Sequence, residues 1–143
     1  MILLDTNVVS EPWRPQSDRR VVAWLDAQDV TSLYICTPVL AELRFGAERL
    51  PPSRRRLRLE SHIGRLETEA FKERILTFDV AAASAFGRVA ASREALGRRI
   101  EPIDAMIAAI ALVHGFQLAT RDTDDFVDLE LSLIDPFEAD PAR

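Results

Sequence analysis

Four carboxylates stand in settings that invite chemistry. Asp5 closes the apolar run of MILLDTN, Glu42 sits inside LAEL, Asp104 follows Pro102 in PIDAM, and Asp122 lies in ATRDTDDF. Each has an ordinary explanation on its own. An Asp after a strand ends it in an Asx turn, and an Asp in a first helical turn complements the helix dipole by about 0.3–1 kcal/mol. Glu42 can pair with Arg44 or Arg49 on a solvated helix face, and Asp122 can be one polar loop residue among several. Gathered in one place, the four would carry a formal charge of −4, and like charges so crowded require compensation. Divalent cations provide it. An all-oxygen donor set selects Mg²⁺ or Mn²⁺, whereas a structural Zn²⁺ site wants Cys or His at a defined spacing, which Cys36, His62 and His114 do not offer. Such a site suits phosphoryl transfer, because one metal acidifies a water and a second stabilises the departing oxygen. No protein nucleophile is then needed, and the chain has no Ser-His-Asp or Cys-His arrangement, no Walker-type loop and no GxGxxG.

Whether the acids can meet depends on the elements that carry them. Residues 2–4, 32–36, 75–78 and 116–119 read as strands, with a short fifth strand over 132–134. Helices are expected over 18–28, from Thr37-Pro38 (Thr37 as N-cap) to Pro51-Pro52, over 53–71 with Ser53 as cap, from Asp79 onward, and from Pro102 to the stop at Gly115. Strands alternating with helices predict an α/β fold with a central, mainly parallel sheet of about five strands flanked by helices. Ligands of such folds bind beyond the carboxyl ends of the strands, near the point where strand order reverses. Asp5 and Asp122 follow strands and so belong to that edge. Asp104, in a first helical turn, and Glu42, one turn into its helix, begin there too.

At 143 residues and 16.1 kDa the chain has the size of one domain, spanning 1–143, able to bury a core without disulfides. Cys36, the sole cysteine, lies in the apolar stretch LYIC and reads as a small core residue. No basic region precedes the first apolar run, and the apolar stretch over 105–113 is too short to cross a membrane, so a cytoplasmic protein is expected. Net charge is −5, but it is unevenly spread. From Arg44 to Arg74 eight Arg and Lys72 face five Glu, a balance of +4; from Thr120 to Arg143 two Arg face eight acids, a balance of −6. The basic stretch is either a solvated face laced with ion pairs or a polyanion-binding surface.

LLDTN with Asp5, LAEL with Glu42, PIDAMIAA with Asp104 and ATRDTDDF with Asp122 resemble, in that order, the PIN-domain ribonucleases. With VVSEP after the first motif and the closing IDPF, the chain is most similar to the VapC and FitB-like toxins of bacterial type II toxin–antitoxin modules, over nearly its whole length. That resemblance implies a PIN-like fold and a Mg²⁺- or Mn²⁺-dependent endoribonuclease that hydrolyses RNA phosphodiester bonds with metal-activated water. Asp5 and Asp104 would be the first metal ligands, with Glu42 and Asp122 completing the catalytic pocket directly or through water. Asn7 and Thr120 match polar positions that orient the acids. Similar sequences often have Asn at the position of Asp122 and an acid three residues later, so Asp125 is the substitute for the fourth acid.

The same resemblance implies a small VapB/FitA-like antitoxin that blocks the pocket, commonly with an Arg whose planar fork pairs with carboxylates. It further implies a homodimer, and operator DNA bound only through the antitoxin. An acidic pocket repels RNA unless cations outside it hold the phosphates, for which Arg54, Arg55, Arg56 and Arg58 are candidates. Trp13 either stacks on an unpaired base or packs at the domain edge. Two other α/β readings fail. A receiver domain needs a Lys after the last strand, whereas the only Lys is Lys72; a haloacid-dehalogenase phosphatase needs an Asp where Asn7 stands.

Overall fold

The computed structural model describes residues 1–139. Its sheet is built from five short parallel strands, β1 (Ile2–Leu4), β2 (Leu33–Cys36), β3 (Ile75–Leu76), β4 (Gln117–Ala119) and β5 (Leu133–Ile134), in the order β3-β2-β1-β4-β5. β1 is central and buried throughout, which explains why its sequence is continuously apolar rather than alternating. The order reverses between β1 and β4, so the crevice at their carboxyl ends is the place this topology leaves for a ligand.

Helices α1 (Thr6–Ser10), α2 (Arg19–Ala27), α3 (Thr37–Glu48), α4 (Arg54–Arg65), α5 (Val80–Ala95) and α6 (Pro102–His114) connect the strands. Local chemistry explains most of their starts. The carboxylates of Asp18 and Asp79 and the hydroxyl of Ser53 accept from the amides of Arg20, Ala82 and Arg56. Pro102 opens α6, and Gly115 closes it in the left-handed conformation at φ 66° that a side chain disfavours. The core runs from Leu3, Leu4 and Ile35 in the sheet to Ile107 and Ile110 of α6 and Ile63 of α4, all at most 2% exposed. Cys36 is buried there, and burial pushes its thiol up to about 12. No helix among the described residues is long and apolar enough to cross a membrane.

Several expectations are corrected. Thr37 is the first helical residue rather than the N-cap of α3; its hydroxyl accepts the amide of Phe78 instead, tying α3 to the strand beyond. The helix expected to reach Phe71 leaves α geometry after Arg65 and continues as a single π turn, Leu66–Ala70. The strand expected over 75–78 pairs only at Ile75–Leu76. Of the acidic carboxy-terminal stretch, residues 140–143 lie outside the described residues.

Candidate active site

Asp5 leaves β1 and becomes the N-cap of α1 in the same step. Its backbone amide still donates to Ala119 of β4 (2.9 Å), which pins the residue to the strand-order reversal. Its Oδ1 accepts from the Thr6 amide (2.8 Å) and its Oδ2 from the Thr120 hydroxyl (2.7 Å), while the Asn7 amide stands 3.5 Å from Oδ2. The carboxyl is 4% exposed, and burial raises it to about 6 against the lowering influence of the Thr120 and Thr6 bonds. Glu42 and Asp122 raise it further by their charge.

The other acids arrive from separate elements. Glu42 in α3 accepts from the Thr6 hydroxyl at 2.5 Å, so it turns toward the pocket, while Arg44 pairs with Glu67 instead. Asp122, after β4, accepts from the Asn7 side-chain amide at 3.0 Å, and its own amide donates to the Thr120 hydroxyl at 3.0 Å. Asp104, in the first turn of α6, is held up at about 7, first by desolvation and then by the charges of Asp5, Asp125, Glu42 and Asp122. The chain therefore brings the four acids, and Asp125 with them, within electrostatic reach of one another. Asp125 acts on Asp104 ahead of Asp122, whereas Asp122 is tied to the Asp5 side through Asn7 and Thr120. Both charges reach Asp104, and only Asp122 is hydrogen-bonded to Asn7. Asn7 and Thr120 each touch two acid-bearing residues, the geometry that orienting residues need.

The donor set fits a hard divalent cation. It consists of carboxylate oxygens alone, and the desolvation and repulsion that hold the Asp104 carboxyl up are both of the kind a bound cation offsets. Among the described residues no three of these side chains are drawn together tightly enough to enclose an ion, so the cluster is open rather than a closed cage.

Three residues of this region were not foreseen. Thr6, between two noted residues of the DTN triplet, orients Glu42. Glu11, the Glu of VVSEP, is 3% exposed and accepts from the Asp18 amide (2.9 Å), Arg14 (3.3 Å) and Arg121 (3.4 Å). Its place beside Pro12 in that motif was the available signal. Arg93 of α5 is 4% exposed, and its guanidinium donates to the carbonyls of Arg98 (2.8 Å), Asp125 (2.7 Å) and Val127 (3.1 Å). It thereby clamps the acid-bearing loop from behind, and no local pattern announces a partner so far along the chain.

The basic candidates separate. Arg56 is paired at the surface with Glu60 (2.7 Å), Glu48 (2.8 Å) and the Leu50 carbonyl (3.1 Å), so its charge is already compensated. Arg54, Arg55 and Arg58 are exposed and enter no ion pair among the described residues. Trp13 packs parallel to His62 with ring centroids 5.1 Å apart.

A family profile described as PIN domain matches residues 2–130, a span that contains every acid of the cluster. The chain belongs to the PIN domain family. It is 42% identical to the plasmid stability protein StbB of Pseudomonas syringae pv. tomato, over 97% of this chain and 100% of that protein. It is 41% identical to the VapC ribonuclease Y4jK of Sinorhizobium fredii, over 96% of this PIN chain and 99% of that one. Among solved structures, FitAB bound to a DNA fragment superposes with a TM-score of 0.90 at 36% identity, covering 98% of both chains. The α/β architecture with a five-stranded parallel sheet is thus that of the PIN fold.

Proposed function

We propose that this PIN domain chain is a Mg²⁺- or Mn²⁺-dependent endoribonuclease and the toxin of a type II toxin–antitoxin pair, with Asp5, Glu42, Asp104 and Asp122 as its catalytic acids. The observation that carries the reading is the convergence of these acids, from four separate elements, on the strand-order reversal, where Asp5 and Asp104 are raised to about 6 and about 7. Action on RNA by a single domain spanning 1–143 is supported by a profile that covers residues 2–130 and by relatives named VapC ribonuclease and toxin FitB, and we place that action in the cytoplasm.

Asp5 and Asp104 would hold the cation, with Glu42 and Asp122 around it and Asp125 as the alternative fourth acid. When bound, the metal would supply charge neutralisation and an acidified water for in-line displacement at phosphorus. The chain's own residues do the positioning. Thr120 and the Thr6 amide fix the Asp5 carboxylate, Thr6 Oγ1 turns Glu42, and Asn7 sets the spacing between Asp5 and Asp122. Protonated carboxyls on Asp5 and Asp104 must lose their protons as the cation enters, so metal uptake strengthens as pH rises.

The proposal extends to a small antitoxin that covers this pocket, a homodimeric toxin and DNA bound through the antitoxin; neighbours solved as FitAB bound to a DNA fragment and as FitAcB support an assembly with a partner and DNA. The test is incubation of total cellular RNA with purified protein in Mg²⁺, Mn²⁺ or EDTA, beside Asp5→Asn prepared identically. Discrete products that need metal and vanish in the variant are expected. Metal-independent cleavage, or cleavage retained in the variant, would sink the assignment.

A further inference from the structure

α1 and the 3₁₀ turn after it (Glu11–Trp13) face α4 across a cavity of about 280 Å³ that shares no residue with the acid cluster. Its ring faces come from Trp13 and His62, stacked at 5.1 Å and 7°, with Leu59 beside them, and its charge comes from Arg14, Arg55 and Arg58. Among the described residues no carboxylate lines it. Arg14 is partly drawn away to the buried Glu11, at 3.3 Å, but Arg55 and Arg58 enter no ion pair among the described residues. Two uncompensated guanidinium groups over an aromatic floor want a ligand with a flat apolar face and negative charge.

The cavity also lies close to the acids. Ser10, in its wall, is four residues after Thr6 in α1, which is about 6 Å along the helix axis. Its hydroxyl donates to the Thr6 carbonyl, and Thr6 in turn holds Glu42. The wall of the cavity and the residue that holds Glu42 are thus about one helical turn apart. The volume falls just below the range of drug-sized ligand pockets, roughly 300–1,000 Å³. That suits one planar group better than an amphipathic helix, which seeks an elongated groove with several apolar anchors.

Resting on the ribonuclease reading, we propose that this cavity takes one unpaired nucleobase of the RNA substrate, stacked against the Trp13–His62 pair, with the adjoining phosphates held by Arg55 and Arg58. Stacking tolerates any base but demands that it be unpaired. The cavity then selects single-stranded or looped RNA, while the acids remain indifferent to sequence.

The test is fluorescence anisotropy in EDTA, so that no RNA is cut, with a labelled single-stranded RNA and a second strand of equal length and charge whose nucleotides are abasic. Wild type should prefer the base-bearing strand by about tenfold. Trp13→Ala should bring that preference close to one. Arg55→Ala with Arg58→Ala should weaken both strands alike and flatten the salt slope by about 1.4. Should circular dichroism show Trp13→Ala unfolded, His62→Ala carries the test and must reduce the preference by about threefold.

A base preference unchanged in both ring variants, or an unchanged salt slope in the double Arg variant, overturns the subsite. So does a cavity that binds an acidic amphipathic helical peptide through Trp13 while RNA binding ignores Trp13, which would make it a protein-docking face. Cleavage in the total-RNA assay together with a preference indifferent to Trp13 overturns the subsite and leaves the nuclease standing. No cleavage, with a preference that Trp13→Ala removes, does the reverse.

Discussion

The acid pocket and the Arg-rich helix α4 are both dense in charge, yet the fold treats them in opposite ways. In the pocket, charges of one sign are taken partly out of water and left facing one another, so Asp5 and Asp104 resist ionisation. On α4 the charges stay at the surface, where solvent screens them and Glu48 and Glu60 offset Arg56. Burial without a counter-charge costs stability and is retained where something else supplies that charge. The same criterion divides α4 itself, since Arg56 is paired within the protein whereas Arg54, Arg55 and Arg58 enter no ion pair among the described residues.

The contrast breaks most sharply at the pocket. Asp5→Asn keeps the shape of the N-cap but removes a ligand charge, and should lower metal-dependent cleavage by about 10³-fold or more while circular dichroism stays unchanged. Arg93→Gln should loosen the loop carrying Asp122 and Asp125. It is expected to weaken Mn²⁺ binding, read by electron paramagnetic resonance, about 10–100-fold, as loss of an orienting group does. Arg93→Lys should recover only part, because one ammonium cannot span three carbonyls. Thr120→Val deletes the hydroxyl bond that favours ionised Asp5 and leaves the Asp122 amide without its acceptor. About tenfold weaker metal binding and an optimum moved to higher pH are expected.

Stability sharpens the comparison from the other side. The folded carboxyl of Asp104 holds its proton up to about 7, against an ordinary value of 3.8. Its contribution to stability is therefore complete below 3.8 and is lost as pH rises through about 7. Asp104→Asn stays neutral and escapes that loss. In EDTA at pH 8 it should melt above wild type by about 3 °C, a figure discounted for the solvent that still reaches this half-buried group, and the gain should vanish at pH 4. The smallest effect belongs to α4. Arg54→Ala should flatten the salt dependence of RNA binding by about 0.7 without moving the melting point, whereas Arg56→Ala should lower the melting point and leave the slope alone. Equal slopes in the two variants would erase the distinction drawn between them.

The elements were legible where their causes are local. Asp18, Ser53, Asp79, Pro102 and Gly115 each mark a helix boundary through bonds or backbone angles reaching a few residues at most. Thr37 misled because it carries the same local signature, yet its hydroxyl found the Phe78 amide, far along the chain. α1 was hidden because Asp5 ends a strand and caps a helix at once, and an Asx turn and a helix start look alike over three residues. The π turn after Arg65 has no local signature of the kind that marked the other boundaries.

The sequence by itself determined the chemistry on offer. Carboxylates stood at strand ends and helix starts, no thiol or imidazole pattern competed with them, and alternating elements sent them to one sheet edge. The tertiary structure alone decided how that chemistry is held. It set Asp122 against Asn7, brought the charge of Asp125 to bear on Asp104, placed Arg93 behind their loop, and paired Arg56 with Glu48 and Glu60. The physical reason is distance. Residue type fixes which charges and donors exist, but ionisation and pairing depend on desolvation and on neighbours a few ångströms away, which the folded chain brings from anywhere along its length.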